Sequence, residues 1–192
     1  MMGAEVPLEP EGGDADTVVA LIRQGAHRDA VALCARLHGA PVGRLCMAML
    51  GSQAEAEETL QDTLLAAHDA MASYRGEGTV RAWLFGIARR LCARRLVMRV
   101  RREQQQHAAA TASAVGEPPD GALQAKQRAA RIRAALARLS PTEREAVLLR
   151  FESDLSFREI ALVCEIDEAT ARKRSSRGLA RLRGLLGRED VS

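Results

Sequence analysis

Apolar residues recur at three- and four-residue steps along most of the chain, a spacing typical of amphipathic α-helices. From Asp16 to Leu50 this spacing predicts helix, with Pro41 and Gly43 expected to interrupt the run. Ser52, with Glu55 three residues later, predicts an N-cap and capping box for an acidic helix over about 52–71. The first part of the chain is therefore expected to be a bundle of helices.

A turn is predicted around Gly76 and Gly78, because two glycines so close together break a helix. Thr79 is then expected to cap a long helix with one apolar and one arginine-rich face. Residues 103–123 are polar and alanine-rich and contain Pro118 and Pro119, a composition that favours a flexible linker.

Two strong helix starts follow the linker, at Ser140-Pro141-Thr142-Glu143 and at Ser156-Phe157-Arg158-Glu159. A short connection over 165–167 leads into a basic helix that is expected from about Glu168 to Leu186. Two helices joined by about three residues, the second one rich in arginine, are typical of a helix-turn-helix.

The predicted fold class is therefore all-α, with two small helical domains joined by a flexible linker and a helix-turn-helix in the second. The expected segments are an acidic tail (1–16), a first domain (17–102), the linker (103–123) and the helix-turn-helix domain (124–192). A chain of 192 residues is long enough for two such cores.

Composition narrows the classes of function. Aromatic residues make up only 3%, which argues against modules that stack bases on aromatic platforms. The net charge of +3 hides segregated blocks: residues 53–72 carry five acids and no Lys or Arg, whereas residues 75–102 carry nine arginines. Segregated charge suggests an anionic partner for the basic stretches and a cationic partner for the acidic helix.

The predicted helix-turn-helix would place Arg172, Lys173, Ser176 and Arg177 in the DNA major groove, where arginine bonds guanine edges. An ordinary helical hairpin with a solvated basic face is the competing interpretation. The clustered arginines after Gly78 indicate a surface that binds a polyanion. The alternative interpretation is a basic face that only contacts solvent. The acidic helix is either a binding surface for a basic protein or plain solvent-facing surface.

No catalytic set is recognisable, so the chain is predicted not to be an enzyme and to need no cofactor. Cys34 and His38 are four residues apart and could face one metal ion, but their spacing to His27 and Cys46 matches no standard finger. Buried cysteines are the favoured interpretation, with no metal. The absence of a leader pattern or apolar span predicts a cytoplasmic location without membrane insertion.

Four segments together resemble bacterial extracytoplasmic-function (ECF) sigma factors of RNA polymerase, in order, spacing and chain length. They are Ala54-Glu55-Ala56-Glu57-Glu58-Thr59-Leu60-Gln61-Asp62-Thr63-Leu64, Ala82-Trp83-Leu84-Phe85-Gly86-Ile87-Ala88-Arg89, Leu139-Ser140-Pro141-Thr142-Glu143-Arg144-Glu145 and Leu155-Ser156-Phe157-Arg158-Glu159-Ile160-Ala161. The resemblance covers roughly residues 16–102 and 123–186.

The resemblance implies a dissociable sigma factor that binds core polymerase, recognises the −35 and −10 promoter elements and promotes DNA melting. It implies that the clamp helices contact Glu57, Glu58, Leu60, Gln61 and Asp62, and that the second domain contacts the flap. It assigns the −10 element to Tyr74, Arg75, Trp83, Arg89 and Arg90, and the −35 element to Thr170, Arg172, Lys173, Ser176 and Arg177. An anti-sigma factor is the expected restraining partner.

The sequence departs from the usual pattern of the family at several of these positions. Arg90 and Arg94 stand where Asn and Asp are usual, and Glu58 replaces the usual Asp. Arg90 and Arg94 predict −10 binding that depends more on charge and less on base readout. The alternative function is a stand-alone helix-turn-helix transcriptional regulator, which would act as a homodimer without polymerase.

Overall fold

The structure, a computed structural model, describes residues 11–76, 78–107 and 123–189, and in these ranges its regular elements are all helical. The eight α-helices are α1 (Glu11–Arg23), α2 (His27–Leu50), α3 (Gln53–Ala70), α4 (Val80–His107), α5 (Leu123–Ala137), α6 (Pro141–Phe151), α7 (Phe157–Cys164) and α8 (Glu168–Glu189). A single 3-10 turn, Met71–Ser73, extends α3. The prediction of an all-α fold is confirmed.

The N-terminal helices divide differently from the sequence prediction. The helix α2 runs through Pro41 without a break, so the expected interruption there is wrong. Packing overrides the missing amide of proline, because Val42, Leu45 and Cys46 just beyond it are fully buried. The actual break falls at Gly25, whose φ of 74° ends α1 in a left-handed turn.

Two further expectations about this region are corrected. The helix α1 begins at Glu11, inside the segment 1–16 that was predicted to be a loose tail; residues 1–10 lie outside the described part. Ser52 does accept a hydrogen bond from the Glu55 amide, but Glu55 completes no capping box. Its carboxylate binds Arg99 of α4 instead, because a full charge is a stronger partner than a backbone amide.

The first domain buries its core between α2, α3 and α4. Leu45, Met71, Leu84 and Phe85 are among its largest fully buried side chains. Thr79 caps α4 as predicted, because its hydroxyl accepts a hydrogen bond from the amide of Ala82 at 3.0 Å. The helix continues to His107, five residues into the segment expected to be linker, and 108–122 lie outside the described residues.

The second domain is built on its two predicted capping boxes. In each, the serine side chain accepts from the glutamate amide and the glutamate carboxylate accepts from the serine amide, at Ser140–Glu143 and at Ser156–Glu159. Gly178 lets α8 approach α6 closely, because a Cβ there would lie 2.7 Å from Val147 Cγ2 and 3.1 Å from the Glu143 carbonyl oxygen. This contact fixes how α8 sits on the domain.

The two helical domains lie against each other. The helix α4 packs on α7, and α2 packs on α6. Polar contacts between side chains of the two domains accompany this packing, among them Arg89–Glu145 and Thr79–Glu159. The sequence predicted the two domains but did not predict that they touch.

Candidate nucleic-acid and polymerase interfaces

The helix-turn-helix consists of α7, residues 165–167 and α8, as the sequence predicted. Glu165 closes α7 with a φ of 55°, and the Ile166 amide returns to the Ala161 carbonyl at 3.0 Å. The Asp167 carboxylate then caps α8 by accepting from the Thr170 amide at 2.7 Å and from the Thr170 hydroxyl at 2.6 Å. These two hydrogen bonds lower the pKa of Asp167.

The exposed start of α8 carries the residues expected to read the −35 element. Lys173, Ser176 and Arg177 are exposed, and at spacings of three and four residues they share one face of the helix. Thr170 is half-buried and its hydroxyl already donates to Asp167, so its role at the start of α8 is first of all structural.

Arg172 is exposed, yet the structure holds its guanidinium in place from two sides. Its Nη2 lies 2.8 Å from Glu168 Oε1, one turn earlier on α8. Its Cζ lies 5.0 Å from the centre of the Phe157 ring, a cation–π distance. A guanidinium oriented in this way is preorganised for planar recognition of a base edge or a phosphate.

The residues expected at the −10 element surround the turn that precedes α4. The rings of Tyr74 and Trp83 are 5.0 Å apart and tilted by 56°. The Tyr74 hydroxyl donates to the Gly78 carbonyl at 3.3 Å, which ties the turn back to this aromatic pair. Gly76 and Gly78 both have positive φ angles, of 74° and 87°, so the sharp turn needs glycine at these positions.

The remaining −10 candidates differ in how freely they can reach a ligand. Arg75 is exposed beside the turn. Arg90 has a half-exposed side chain whose Nη1 lies 3.7 Å from Glu165 of the second domain. Arg89 is the least accessible: its side chain is 18% exposed and pairs with Glu145 of α6 at 3.4 Å. Of these five residues, Tyr74 and Trp83 contact each other, and Arg89 and Arg90 each face an acid of the second domain.

The acidic surface, defined as Glu57, Glu58, Leu60, Gln61 and Asp62, divides along α3. Arg95 of α4 binds both Glu58 and Asp62 at 2.7 Å. The hydrogen bond from Arg95 and its positive charge lower the pKa of Glu58, and both carboxylates raise the pKa of Arg95. Two acids of this surface thus have a cationic partner within the chain.

The other half of the acidic surface faces away from α4. Glu57 and Gln61 are exposed, and Leu60 is half-buried against α2, with its Cδ2 3.6 Å from the position a Gly43 Cβ would take. Glu57 and Leu60 line a groove between α2 and α3 of about 320 Å³, with Arg44, Met47 and Gln53. The groove is mainly apolar, and its two charged residues, Glu57 and Arg44, have opposite signs.

The arginine-rich face of α4 is only partly available to a polyanion. Arg95 and Arg99 bind acids of α3, as described above, whereas Arg94, Arg101 and Arg102 are exposed. The sequence showed both charge blocks but not that they neutralise each other. The pairing depends on α3 packing against α4, which is tertiary structure that the spacing of charges along the chain does not report.

Three of the four cysteines, Cys34, Cys46 and Cys92, are buried, and Cys164 is partly buried. Burial raises the pKa of both Cys34 and Cys164 to about 11. The hydrogen bond with Cys46 and then burial raise the pKa of Cys92. Within the described ranges, no group of three or more His, Cys, Asp or Glu side chains is placed to hold a metal ion.

Comparisons with known proteins assign both domains. Family models match residues 34–104 as sigma-70 region 2 and residues 129–182 as sigma-70 region 4. The ECF RNA polymerase sigma factor SigM of Mycobacterium tuberculosis (strain H37Rv) is 30% identical over 152 residues, which is 79% of this chain and 74% of SigM.

Two solved structures resemble the fold. CnrH, solved in complex with the cytosolic domain of CnrY, matches with a TM-score of 0.68 and 20% identity over 91% of this chain and 97% of its own. The sigma factor RpoE, solved with the anti-sigma factor NepR from Bartonella quintana, matches with a TM-score of 0.59 and 28% identity over 76% of this chain and 89% of its own.

These matches define a transcription initiation factor with the two domains of a sigma factor. The chain belongs to the ECF family of RNA polymerase sigma factors. The resemblance predicted from four sequence segments is confirmed, and so is the function of a dissociable sigma factor. A search of the described helices finds none long and apolar enough to cross a bilayer.

Proposed function

We propose that this chain, which is not itself an enzyme, directs core RNA polymerase to promoters in the cytoplasm by three separate contacts. The exposed half of the acidic surface binds the basic clamp helices, and the second domain binds the flap. The start of α8 reads the −35 duplex, and the Tyr74–Trp83 turn captures an unstacked base of the −10 element. Core RNA polymerase supplies the chemistry of phosphoryl transfer.

The observation that carries the −35 assignment is the free face of α8. Lys173, Ser176 and Arg177 lie on one side of a helix whose first turn is fixed by Asp167. A recognition helix enters the major groove with its N-terminal part, which is where these residues lie. Arg172, oriented by Glu168 and Phe157, stands at the edge of this face.

The −35 assignment is tested by binding to promoter duplexes with single-base changes. We expect Arg177→Ala to cost about 1–3 kcal/mol on the preferred duplex and to relax discrimination at one base pair. Arg183→Ala, which removes the same charge from an exposed position further along α8, is the matched control. If both variants lose the same binding free energy on every duplex, Arg177 contacts a phosphate and does not read a base.

The −10 assignment rests on the aromatic pair and the glycine turn. Capture of an extruded base needs an aromatic or apolar surface and a backbone that can close around it. Tyr74 and Trp83 provide the first, and Gly76 and Gly78 provide the second. Trp83→Ala is expected to abolish permanganate-reactive melting at a promoter while core polymerase still binds.

The polymerase assignment is best tested at an acid that makes no ion pair with Arg95. Reversing Glu58 or Asp62 would also break the ion pairs with Arg95, so it would mix docking with stability. Glu57→Lys changes the exposed half of the surface, and Asp69→Lys makes the same charge change at the other end of α3. We expect only Glu57→Lys to weaken binding to core polymerase.

An anti-sigma factor is the partner that a solved relative suggests, because RpoE was solved with the anti-sigma factor NepR. For this chain, the groove lined by Glu57, Leu60 and Met47 is the surface such a protein would have to cover to block polymerase. We expect the restraining protein and core polymerase to compete for binding to the wild-type chain. Glu57→Lys should remove this competition.

A further inference from the structure

We propose that Phe157 is a positioning residue for −35 recognition: its ring holds the guanidinium of Arg172 and so strengthens discrimination at the base pair that Arg172 reads. This inference rests on the proposed −35 assignment of α8. It adds a residue of α7, outside the recognition helix, that acts on base recognition through Arg172 without touching a base.

The ring of Phe157 is fixed at the point where α7 begins. Phe157 is the first residue of that helix and directly follows the N-cap Ser156, whose capping box with Glu159 sets the backbone there. The side chain is half-buried and packs against the hydrophobic core. A ring anchored by both backbone and core can serve as a fixed surface for a longer, exposed neighbour.

Two guanidinium groups lie over this ring, one from each neighbouring helix of the second domain. The Cζ of Arg150, in the last turn of α6, is 5.4 Å from the centre of the Phe157 ring. The Cζ of Arg172, near the start of α8, is 5.0 Å from it. Both distances are in the range of a cation–π interaction, so one ring connects α6 and α8.

A carboxylate lies beside each of these two guanidinium groups. Arg150 Nη1 lies 3.5 Å from Asp154 Oδ1 and donates to the Leu155 carbonyl at 3.1 Å. Arg172 Nη2 donates to Glu168 Oε1 at 2.8 Å. Because each arginine has its own acid, the repulsion between the two like charges is reduced and both can lie over the same ring.

Arg172 differs in these contacts from the other cations on its face of α8. Its side chain is 61% exposed, and a long exposed side chain without partners would sample many rotamers. Lys173 and Arg177 make no hydrogen bond, ion pair or ring contact with another residue of the described ranges. Of these three cations, Arg172 is therefore the one oriented before DNA binds, and it loses less freedom on binding.

Orientation matters more for reading a base than for attracting DNA. A planar guanidinium forms two hydrogen bonds with a guanine edge only when it lies in the plane of the base. A phosphate is attracted by the charge of the arginine in many orientations. Loss of the ring should therefore lower discrimination at one base pair, whereas a general packing defect would weaken binding to every duplex alike.

The test compares two changes at Phe157 with a matched change elsewhere. Phe157→Leu removes the aromatic face and keeps an apolar side chain, whereas Phe157→Tyr keeps the face. The control is Phe151→Leu, the same change at a 58% exposed ring at the end of α6. Circular dichroism checks that each variant is folded, and Phe157→Met replaces Phe157→Leu if the latter does not fold.

Binding is measured for each full chain in complex with core polymerase. The wild-type complex first selects a promoter from genomic DNA. The probes are the duplex of that promoter upstream of its −10 element and the same duplex with each single base-pair change in the −35 element. Discrimination is the ratio of the dissociation constants for the changed and the unchanged duplex.

We expect Phe157→Leu to lower discrimination about two- to fivefold at the base pair where Arg172→Ala lowers it about fivefold or more. Phe157→Tyr and Phe151→Leu should stay within about twofold of the wild-type chain. The double variant Phe157→Leu with Arg172→Ala should discriminate no worse than Arg172→Ala alone, because the ring acts through that arginine. Equal weakening on every duplex, a loss at a different base pair, or additive losses in the double variant would overturn the inference.

The proposed function and this inference fail in distinguishable ways. If Arg172→Ala leaves discrimination unchanged at every base pair, the −35 role of Arg172 is wrong and the inference falls with it. If Arg172→Ala lowers discrimination and Phe157→Leu does not, only the inference is wrong. Nitrogen-15 relaxation of the Arg172 Nε in the free chain measures the positioning itself: its order parameter should fall in Phe157→Leu but not in Phe151→Leu, and equal values would also overturn the inference.

Discussion

The close approach of α8 to α6 at Gly178 gives the sharpest prediction about the second domain. An alanine Cβ there would lie 2.7 Å from Val147 Cγ2, 3.1 Å from the Glu143 carbonyl oxygen and 3.3 Å from Glu143 Cβ. The carbonyl is backbone and valine has few rotamers, so the neighbours cannot simply turn aside. Gly178→Ala must therefore push the two helices apart.

The magnitude can be separated into two effects. Replacing glycine by alanine inside a helix stabilises it by about 1 kcal/mol, whereas overpacking a tight contact costs about 1–3 kcal/mol. Gly184, on the same helix, has nothing within 4 Å of an added Cβ, so Gly184→Ala should show the helix effect alone. The two variants should therefore differ in the free energy of unfolding by about 1–3 kcal/mol.

Urea unfolding of the full chain, followed by circular dichroism, measures this difference, and binding to the −35 duplex measures its effect on α8. We expect Gly178→Ala to be the less stable variant and to bind the duplex more weakly, because the recognition helix is displaced. Equal stability of the two alanine variants would refute the argument that the α6–α8 contact is too close for a side chain.

Three other predictions concern caps, ion pairs and thiols. Ser140→Ala removes the capping box of α6 and should cost about 0.5–2 kcal/mol in urea unfolding. The pKa of Glu58 is lowered in the folded chain, so its pairing with Arg95 adds stability above the ordinary pKa of 4.5. This stability is lost as pH falls through the lower pKa of the folded state. We therefore expect Arg95→Met to flatten the dependence of thermal stability on acid pH. Cys34 and Cys164, each with a pKa near 11, should react with iodoacetamide at pH 8 far more slowly in the folded chain than in urea, as peptide mass spectrometry would show.

Local sequence signals predicted the second domain well because its helices carry their own start signals. Ser140 and Ser156 each have glutamate three residues later, and both capping boxes form. Ser52 and Glu55 have the same spacing, but the box fails because Arg99, 44 residues away in sequence, binds the Glu55 carboxylate. No local pattern reports such a distant competitor.

Tertiary packing explains the other differences. Proline is a helix breaker in isolation, yet α2 continues through Pro41 because the residues around it are buried against α3 and α4. The candidate site residues could be placed on helices from the sequence. Their accessibility could not be predicted from the sequence, because Glu145 of the other domain covers Arg89 and Arg95 neutralises the charge of Glu58.

Initiation in a reconstituted system tests the central claim most directly. Core RNA polymerase from the host bacterium is combined with the purified chain and a promoter selected from genomic DNA by that mixture, and run-off transcripts are measured. The account predicts transcripts of defined length that require the chain and that fall strongly with Glu57→Lys but not with Asp69→Lys. Failure of the chain to bind core polymerase, or transcription that is the same with and without it, would contradict the account.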